Sequence, residues 1–516
     1  MGNSFRQINY ISVGSSHIDI IIATKKEFGL IDIINLHTIP TNGSVINGSI
    51  VNFDLAKREL RKAITEVREK IRKSHPMLNL NILSFYVGLP SATAKTDYGF
   101  VSEDMTTLMS QREKLVSHTD IVNLYKRCGK KIQRVVTNNA SAEFIPRTTY
   151  CDSRRFYPNP NKQMCRRLSC DYIYTYLDAG IEETWRQLLN ELGCILEELV
   201  FDNVLGFIPM FNDNEKDLGS ILVDIGSETT SLTVFKKYLV GIHSLNVGSS
   251  SITSDICRNF HCTPEVADEI KHRFYDIYSK YVQDPKGYLG YSKMDGQKSW
   301  MPLEMIMDLF NNKLSEITHE INLFVNHVIN INRLFEIKYS VMLDDRLSKS
   351  IKKKADAIIN TKIKVYKDTT EKAISNDVID QLMYELSFID RNITFNLEDQ
   401  VYNGALMVVG GGAELHYVPQ PENPLEIDKK YVFEQLILHS LNNQERFNLF
   451  LKTKISYQNE LSSENMLYFI KSTAVALGML SYMYSLDYED VEPEDSDTIS
   501  ANINIMSKRD LNIRFF

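Results

Sequence analysis

β-Branched and aliphatic residues crowd the first forty positions in three short runs. Ile8–Val13, Ile18–Thr24 and Leu30–Leu36 each predict a strand, broken by Gly14, Ser15 and Ser16 and then by Glu27, Phe28 and Gly29. The period then changes. After Asn52 and Asp54, residue types that start helices, the apolar positions Leu60, Ala63, Ile64, Val67 and Ile71 share one stripe. Lys, Arg and Glu fill the other face, which predicts a long amphipathic helix. Asn81–Gly88 predicts the next buried strand, and the whole order predicts a mixed α/β sheet.

Residues 90 to 170 break this pattern. They are polar, carry Pro158 and Pro160, and cluster Arg154 with Arg155 and Arg166 with Arg167, which predicts a small inserted domain. The α/β pattern resumes with a strand at Tyr172–Tyr176 and a helix bearing Ile181, Trp185, Leu188, Leu189 and Leu192, stopped by Gly193. A second strand–turn–strand opening follows: Ser220–Asp224, the turn Ile225–Glu228, and Thr230–Lys236. Its recurrence predicts a duplicated α/β unit with a cleft between the copies.

From Leu303 to Asp390 the chain reads as helical, with Leu309, Leu314, Ile317, Ile321 and Val325 at helical spacing. Arg346–Lys372 is Lys-rich and reads as a heavily solvated face. A last strand, Ala405–Val409, enters Gly410, Gly411 and Gly412. A helix at Phe469–Met479, an acidic linker at Asp487–Asp497 and a basic-apolar tail at Ser507–Phe516 close the chain.

Composition narrows the function classes. Among 516 residues, 43% are hydrophobic and 24% charged, ordinary for a globular protein of more than one domain. A net charge of -8, spread along the chain, argues against a nucleic-acid partner. No apolar run approaches the ~18 residues that span a bilayer. Arg6 stands where a myristoylation signal has Ser or Thr, so a cytoplasmic chain is expected. The seven cysteines match no usual zinc spacing and predict reduced, mostly buried thiols.

Three turns suit phosphate chemistry, because small residues let backbone N–H groups approach phosphate oxygens. They are Gly14 to Ser16 after the first strand, Asp224 to Ser227 after the strand at 220, and Gly410 to Gly412. Their order across a duplicated chain resembles the actin, sugar-kinase and heat-shock ATPase superfamily, and in detail the FtsA family. The segments that carry the resemblance are Ser12 to His17, Asp224 to Leu232 and Val408 to Leu415, together with Asn47 to Asn52, Val247 to Ile256, Thr263 to Lys271 and Ser472 to Leu477.

The resemblance implies an α/β, actin-like, two-lobe fold with a nucleotide cleft and an FtsA-type inserted subdomain. One lobe would comprise residues 1–83 and 171–205, with 84–170 inserted. The other would comprise 206–247 and 401–480, with a subdomain at 248–400, and 481–516 would form the linker and tail. ATP with Mg2+ is the implied cofactor. Gly14, Ser15, Ser16, His17, Gly226, Ser227, Thr229 and Gly248 would line the phosphates. Gly410, Gly411, Gly412 and Glu414 would border the adenosine, and Asp268 and Lys271 would reach the ribose and base. Read without the family, Asp268 and Lys271 are a solvated i,i+3 pair.

The chain departs from the family at the chemistry. Ser12 replaces a carboxylate that helps hold the magnesium shell, and His17 replaces a Lys or Arg. Ser227 and Glu228 replace glycines. Asp224 remains as the candidate for organising magnesium or the attacking water, which predicts slow ATP hydrolysis or none. The helical stretch at 330–400 is longer than the family leads one to expect. The resemblance implies self-association into filaments, binding of the FtsZ C-terminal tail on the 248–400 subdomain, and work at the cytoplasmic face of the membrane at the division site. In the tail, Lys508, Arg509, Arg514, Phe515 and Phe516 suit an anionic interface, yet Arg509 falls on the apolar side of a helical plot. An anchor and a frayed tail both remain open. So do a pilus-assembly or plasmid-segregation relative and, less consistent with Ser12 and Glu228, a small-molecule kinase.

Overall fold

Runs of residues buried on both faces mark strands that lie between layers, and the first sheet shows this directly. In the computed structural model Ile20, Ile21 and Ile22, consecutive along one strand, are all fully buried. The structure describes residues 7–25, 31–76, 82–105, 113–136, 142–157, 160, 162–201, 210–368, 377–393, 395, 397, 401–414, 416–417, 431–452 and 513–515.

The chain opens with the antiparallel strands β1 (Gln7–Val13), β2 (His17–Lys25) and β3 (Ile31–Pro40). Helix α1 (Phe53–Ser74) starts where the sequence predicts, because the Asn52 side chain accepts a hydrogen bond from the Leu55 N–H. Its stripe Ala56, Leu60, Ala63, Ile64, Val67 and Ile71 is buried against the sheet. Strand β4 (Ser84–Leu89) then pairs parallel to β1.

The polar stretch that follows is a folded unit. Strands β5 (Lys95–Asp104), β6 (Ala142–Cys151), β7 (Arg154–Phe156) and β8 (Arg167–Tyr176) form a sheet in the order β7-β6-β8-β5. Helix α2 (His118–Val135), held by a capping box between Ser117 and Asp120, covers one face. The strand expected at Tyr172–Tyr176 is the end of β8 and belongs to this sheet, not to the first. The misreading has a plain cause: β8 is buried along nearly its whole length, so nothing in its pattern marks a change of sheet. The first sheet is completed by α3 (Ala179–Glu191) and β9 (Ile195–Phe201), giving the order β9-β4-β1-β2-β3. Trp185 on α3 is fully buried and donates its indole N–H to the Gly48 carbonyl at 2.8 Å.

The second half repeats this plan. Strands β10 (Ser220–Ile225), β11 (Thr230–Lys236) and β12 (Tyr238–Leu245) form an antiparallel meander. Helices α4 (Ser250–Phe260), α5 (Pro264–His272) and α6 (Phe274–Gln283) follow, then the hairpin of β13 (Tyr288–Ser292) and β14 (Lys298–Pro302). Helix α7 (Leu303–Leu343) leads to α8 (Lys349–Asp368) and α9 (Asp377–Ile389). Strand β15 (Ala405–Val409) pairs parallel to β10, and β16 (Phe450–Leu451) parallel to β15, with α10 (Phe433–Asn442) between them in sequence. The order β12-β11-β10-β15-β16 matches the first sheet strand for strand: a meander, then two parallel additions.

Helix α7 runs 41 residues, about 60 Å at 1.5 Å per residue. Its first half enters the core of the second sheet through Phe310, Leu314, Ile317 and Ile321. Its second half packs with α8 and α9, and there the Lys-rich segment departs from its expected solvation. Ala355, Ile359, Ile363 and Tyr366 give α8 a buried stripe, with the lysines on its outer face. Strand β17 (Ile513–Phe515), which includes Arg514 and Phe515, pairs parallel to β6 at Ala142–Phe144. Lys508, Arg509, Phe516 and the helix expected at 469–479 lie outside the described residues.

Candidate functional site

Two hairpin turns of the same design end β1 and β10. In the first, the Gly14 N–H donates to the His17 carbonyl at 2.9 Å; in the second, the Gly226 N–H donates to the Thr229 carbonyl at 2.9 Å. A Cβ on Gly14 would lie 2.9 Å from the His17 carbonyl oxygen, so the turn closes around a missing side chain. The first turn is held from behind. Ser15 Oγ accepts from the Asn47 N–H at 2.9 Å, and the Thr41 N–H donates to the Ser16 carbonyl at 3.0 Å. The second is held by helix α4, whose first residues matter more than its length. The Ser249 N–H donates to the Gly226 carbonyl at 3.0 Å, and the Ser250 N–H donates to the Ser227 carbonyl at 2.9 Å. Gly248 is obligatory there, because its Cβ would sit 2.2 Å from the Ser227 carbonyl oxygen.

The turns face one cavity, open to solvent and bordered also by Gly410 and Gly411. Gly410 has φ +86°, and a Cβ there would meet both Asp224 Oδ1 and the Ile225 carbonyl oxygen at 2.4 Å. The backbone N–H groups of Ser15, Ser16, Ser227 and Glu228 have no acceptor among the described residues. Such a set of donors on two tight turns is what a polyphosphate requires.

The charged groups at the cavity are few. Asp224 projects from the end of β10, and loss of hydration pushes its carboxyl up to about 6, with His17 working against that rise. His17 carries a raised pKa, chiefly through its hydrogen bond to Asp19. Its Nε2 lies 3.5 Å from Asp19 Oδ2, and its Nδ1 lies 2.9 Å from Ser16 Oγ. Asp19 is buried and also accepts from the Thr38 hydroxyl. Glu228 stands exposed at the rim.

Of the residues expected from sequence, Gly14, Ser15, Ser16, His17, Asp224, Gly226, Ser227, Thr229, Gly410 and Gly411 all border this one cavity. Gly412 packs behind it against Ile225, and Gly248 supports the second turn. Asp268 and Lys271 are not part of its lining. They pair with each other at 2.6 Å, and Lys271 also donates to Thr253 at 3.1 Å. The Glu414 side chain lies outside the described residues. Sequence reading missed Asp19, Thr41 and Asn47. Asp19 was within reach: two residues after His17 on a strand, it shares the same face.

The family model of the cell division protein FtsA matches residues 221–379. The FtsA of Streptococcus pneumoniae serotype 2 is 22% identical over 269 residues, 52% of this chain and 56% of that protein. The FtsA of Bacillus subtilis is 22% identical over 275 residues, 52% of this chain and 58% of that protein. The chain is similar to FtsA proteins, at low identity.

The matched FtsA proteins are covered over little more than half their length. The family match contains the second turn and extends through α7 and α8, so the long helical segment lies largely within it. Among solved structures, the PilM-PilN type IV pilus biogenesis complex is similar over 92% of this chain and 98% of its own, with a TM-score of 0.50 at 12% identity. That likeness concerns fold: α/β and actin-like, as expected.

Proposed function

We propose that this FtsA relative is an actin-like cell-division protein that binds ATP, self-associates into filaments and ties FtsZ to the cytoplasmic face of the membrane at the division site. The observation that carries the nucleotide half is the pair of matched turns facing one cavity, each closed by a glycine N–H at 2.9 Å. The similarity to FtsA supports the division half. In this reading the two five-stranded sheets are the cores of two lobes. The N–H groups of Ser15, Ser16, Ser227 and Glu228 bind phosphate oxygens, and Gly410, Gly411 and Gly412 lie along the adenosine. The 248–400 subdomain takes the FtsZ tail.

Magnesium is the cofactor the family implies, and the chain's own donors do not fit a tightly held ion. Ser12 offers a neutral hydroxyl, Asp19 is already engaged by His17 and Thr38, and Asp224 is left as one carboxylate. Among the described residues no group of three or more His, Cys, Asp or Glu is placed to hold a metal. ATP hydrolysis is therefore expected to be slow or absent, and nucleotide serves to stabilise the closed, assembling form.

The test uses the full chain with the C-terminal peptide of FtsZ from the same organism, followed by fluorescence polarisation with and without ATP. Saturable binding that charge reversals on 248–400 weaken is the expected result. Absence of binding in both conditions would move the function to the pilus or segregation branch, and calorimetry showing no heat with ATP or ADP would remove the nucleotide half.

A further inference from the structure

We propose that the hairpin β13–β14 lies against an anionic membrane surface, with Tyr288, Met294 and Trp300 entering the interface. The chain has two tryptophans. Trp185 is fully buried in the first sheet's core, whereas Trp300 is 70% exposed. Around Trp300, Tyr288 is 64% and Met294 68% exposed. Large apolar side chains concentrated on one exposed element mark a contact surface rather than a scattered background.

The hairpin's register explains how the surface arises. Tyr288 stands opposite Pro302, and Gly290 stands opposite Trp300, so Tyr288 and Trp300 are diagonal neighbours on one face. Gly290 has no side chain, and the Trp300 ring lies over it, with Cζ3 at 3.2 Å from the Cβ position. The opposite face holds Leu289, Tyr291 and Met301 against the second core. The sheet has no third strand among the described residues, and its Tyr288–Trp300 face is exposed. Met294 sits at the tip, beside the turn closed by the Gly296 N–H and the Lys293 carbonyl.

The element's charge balance favours an anionic surface by one lysine. Lys286, Lys293 and Lys298 flank the aromatics; Asp284 and Asp295 also lie on this element. Both acids are held within turns, Asp284 Oδ1 accepting from the Lys286 N–H and Asp295 Oδ1 from the Gln297 N–H. Trp and Tyr rings sit well at headgroup depth, and lysines beside them gain from anionic lipid. A shallow contact of this kind binds weakly alone and becomes firm when a second contact or an assembled array adds to it.

Trp300 is also the reporter. The full chain is mixed with vesicles of phosphatidylglycerol and with vesicles of phosphatidylcholine, and its emission and acrylamide quenching are recorded. The expected result is a blue shift and loss of quenching with the anionic vesicles. Trp300→Ser should weaken vesicle partitioning roughly tenfold, the loss for one aromatic withdrawn from an apolar phase, and Trp300→Phe should restore most of it. In Trp300→Ser, unchanged Trp185 emission shows that the fold is intact. Vesicle binding with Trp300 still fully quenchable would overturn the proposal and assign binding to another segment. Shielding of Trp300 that grows with protein concentration in the absence of lipid would overturn it in favour of a second copy. Shielding by the FtsZ peptide alone would overturn it in favour of an acidic peptide.

Discussion

At the scale of single residues, Asp224 couples the cleft to stability. Its carboxyl titrates near 6 in the folded chain against 3.8 for the free group. The folded state therefore binds the proton more tightly than the unfolded one. Stability falls as pH rises through the interval between those values, and the full penalty is present above it. Asp224→Asn removes the penalty, so it should stabilise the nucleotide-free protein by up to about 3 kcal/mol at pH 8 and by much less at pH 4.5. Thermal melts at the two pH values check this; an equal shift at both would mean that Asp224 is not held in a dehydrated setting. Residues of this kind were legible in the sequence because tight phosphate turns need small residues, and Gly14, Gly226 and Gly410 stood where strands end. Asp19 was only partly legible. Its face is shared with His17 on the same strand, but it reads as one polar residue among isoleucines, and its bond from Thr38 depends on which strand lies beside it.

At the scale of elements, the long helix does more than extend a lobe. On its second half Glu336 is buried, accepts from the Tyr238 hydroxyl and pairs with Arg155 of the small sheet at 3.5 Å. One turn earlier, Asn332 accepts from Arg147, which in turn lies 3.7 Å from Asp171, also buried. The Arg147 guanidinium sits 4.9 Å from the Tyr238 ring and 5.2 Å from the Tyr98 ring. Charges withdrawn from water in this way tolerate the joint loss of both partners better than the loss of one. Glu336→Ala should destabilise the protein by about 3–5 kcal/mol, and combining it with Arg155→Met should recover much of that loss. Urea unfolding of the single and double variants decides it; additive losses would show that the two groups do not act as a pair. Helical periodicity announced α7, α8 and α9, but not their contacts. The Lys-rich run looked like a solvated face because its buried positions, Ala355, Ile359, Ile363 and Tyr366, are spaced out among the lysines.

At the scale of the whole molecule, the duplication was the most legible feature. Strand, glycine turn and strand occur twice, and the two sheets share one strand order. What the sequence concealed was how the inserted unit is attached. Polar composition marked residues 90 to 170 as separate, yet β5, β6 and β8 meet α7 and β12 through aromatic stacking and buried ions. Tyr98 stacks on Phe335 with ring centroids 4.4 Å apart, and Phe100 on Tyr339 at 4.7 Å. Long-range docking of this kind leaves no periodic trace, because its two sides lie about 180 to 240 positions apart.

That docking bears on inheritance. A buried Arg155 without Glu336, or Glu336 without Arg155, leaves a stranded charge, so neither side changes freely by single steps. The small sheet and the end of α7 should therefore pass between descendants as one block. Chimeras make the point measurable: replacing only residues 95–176 with the corresponding segment of the Bacillus subtilis FtsA should give a poorly folding chain, whereas exchanging that segment together with 330–393 should restore soluble yield. Equal yields from both exchanges would show that the two pieces are free to evolve apart.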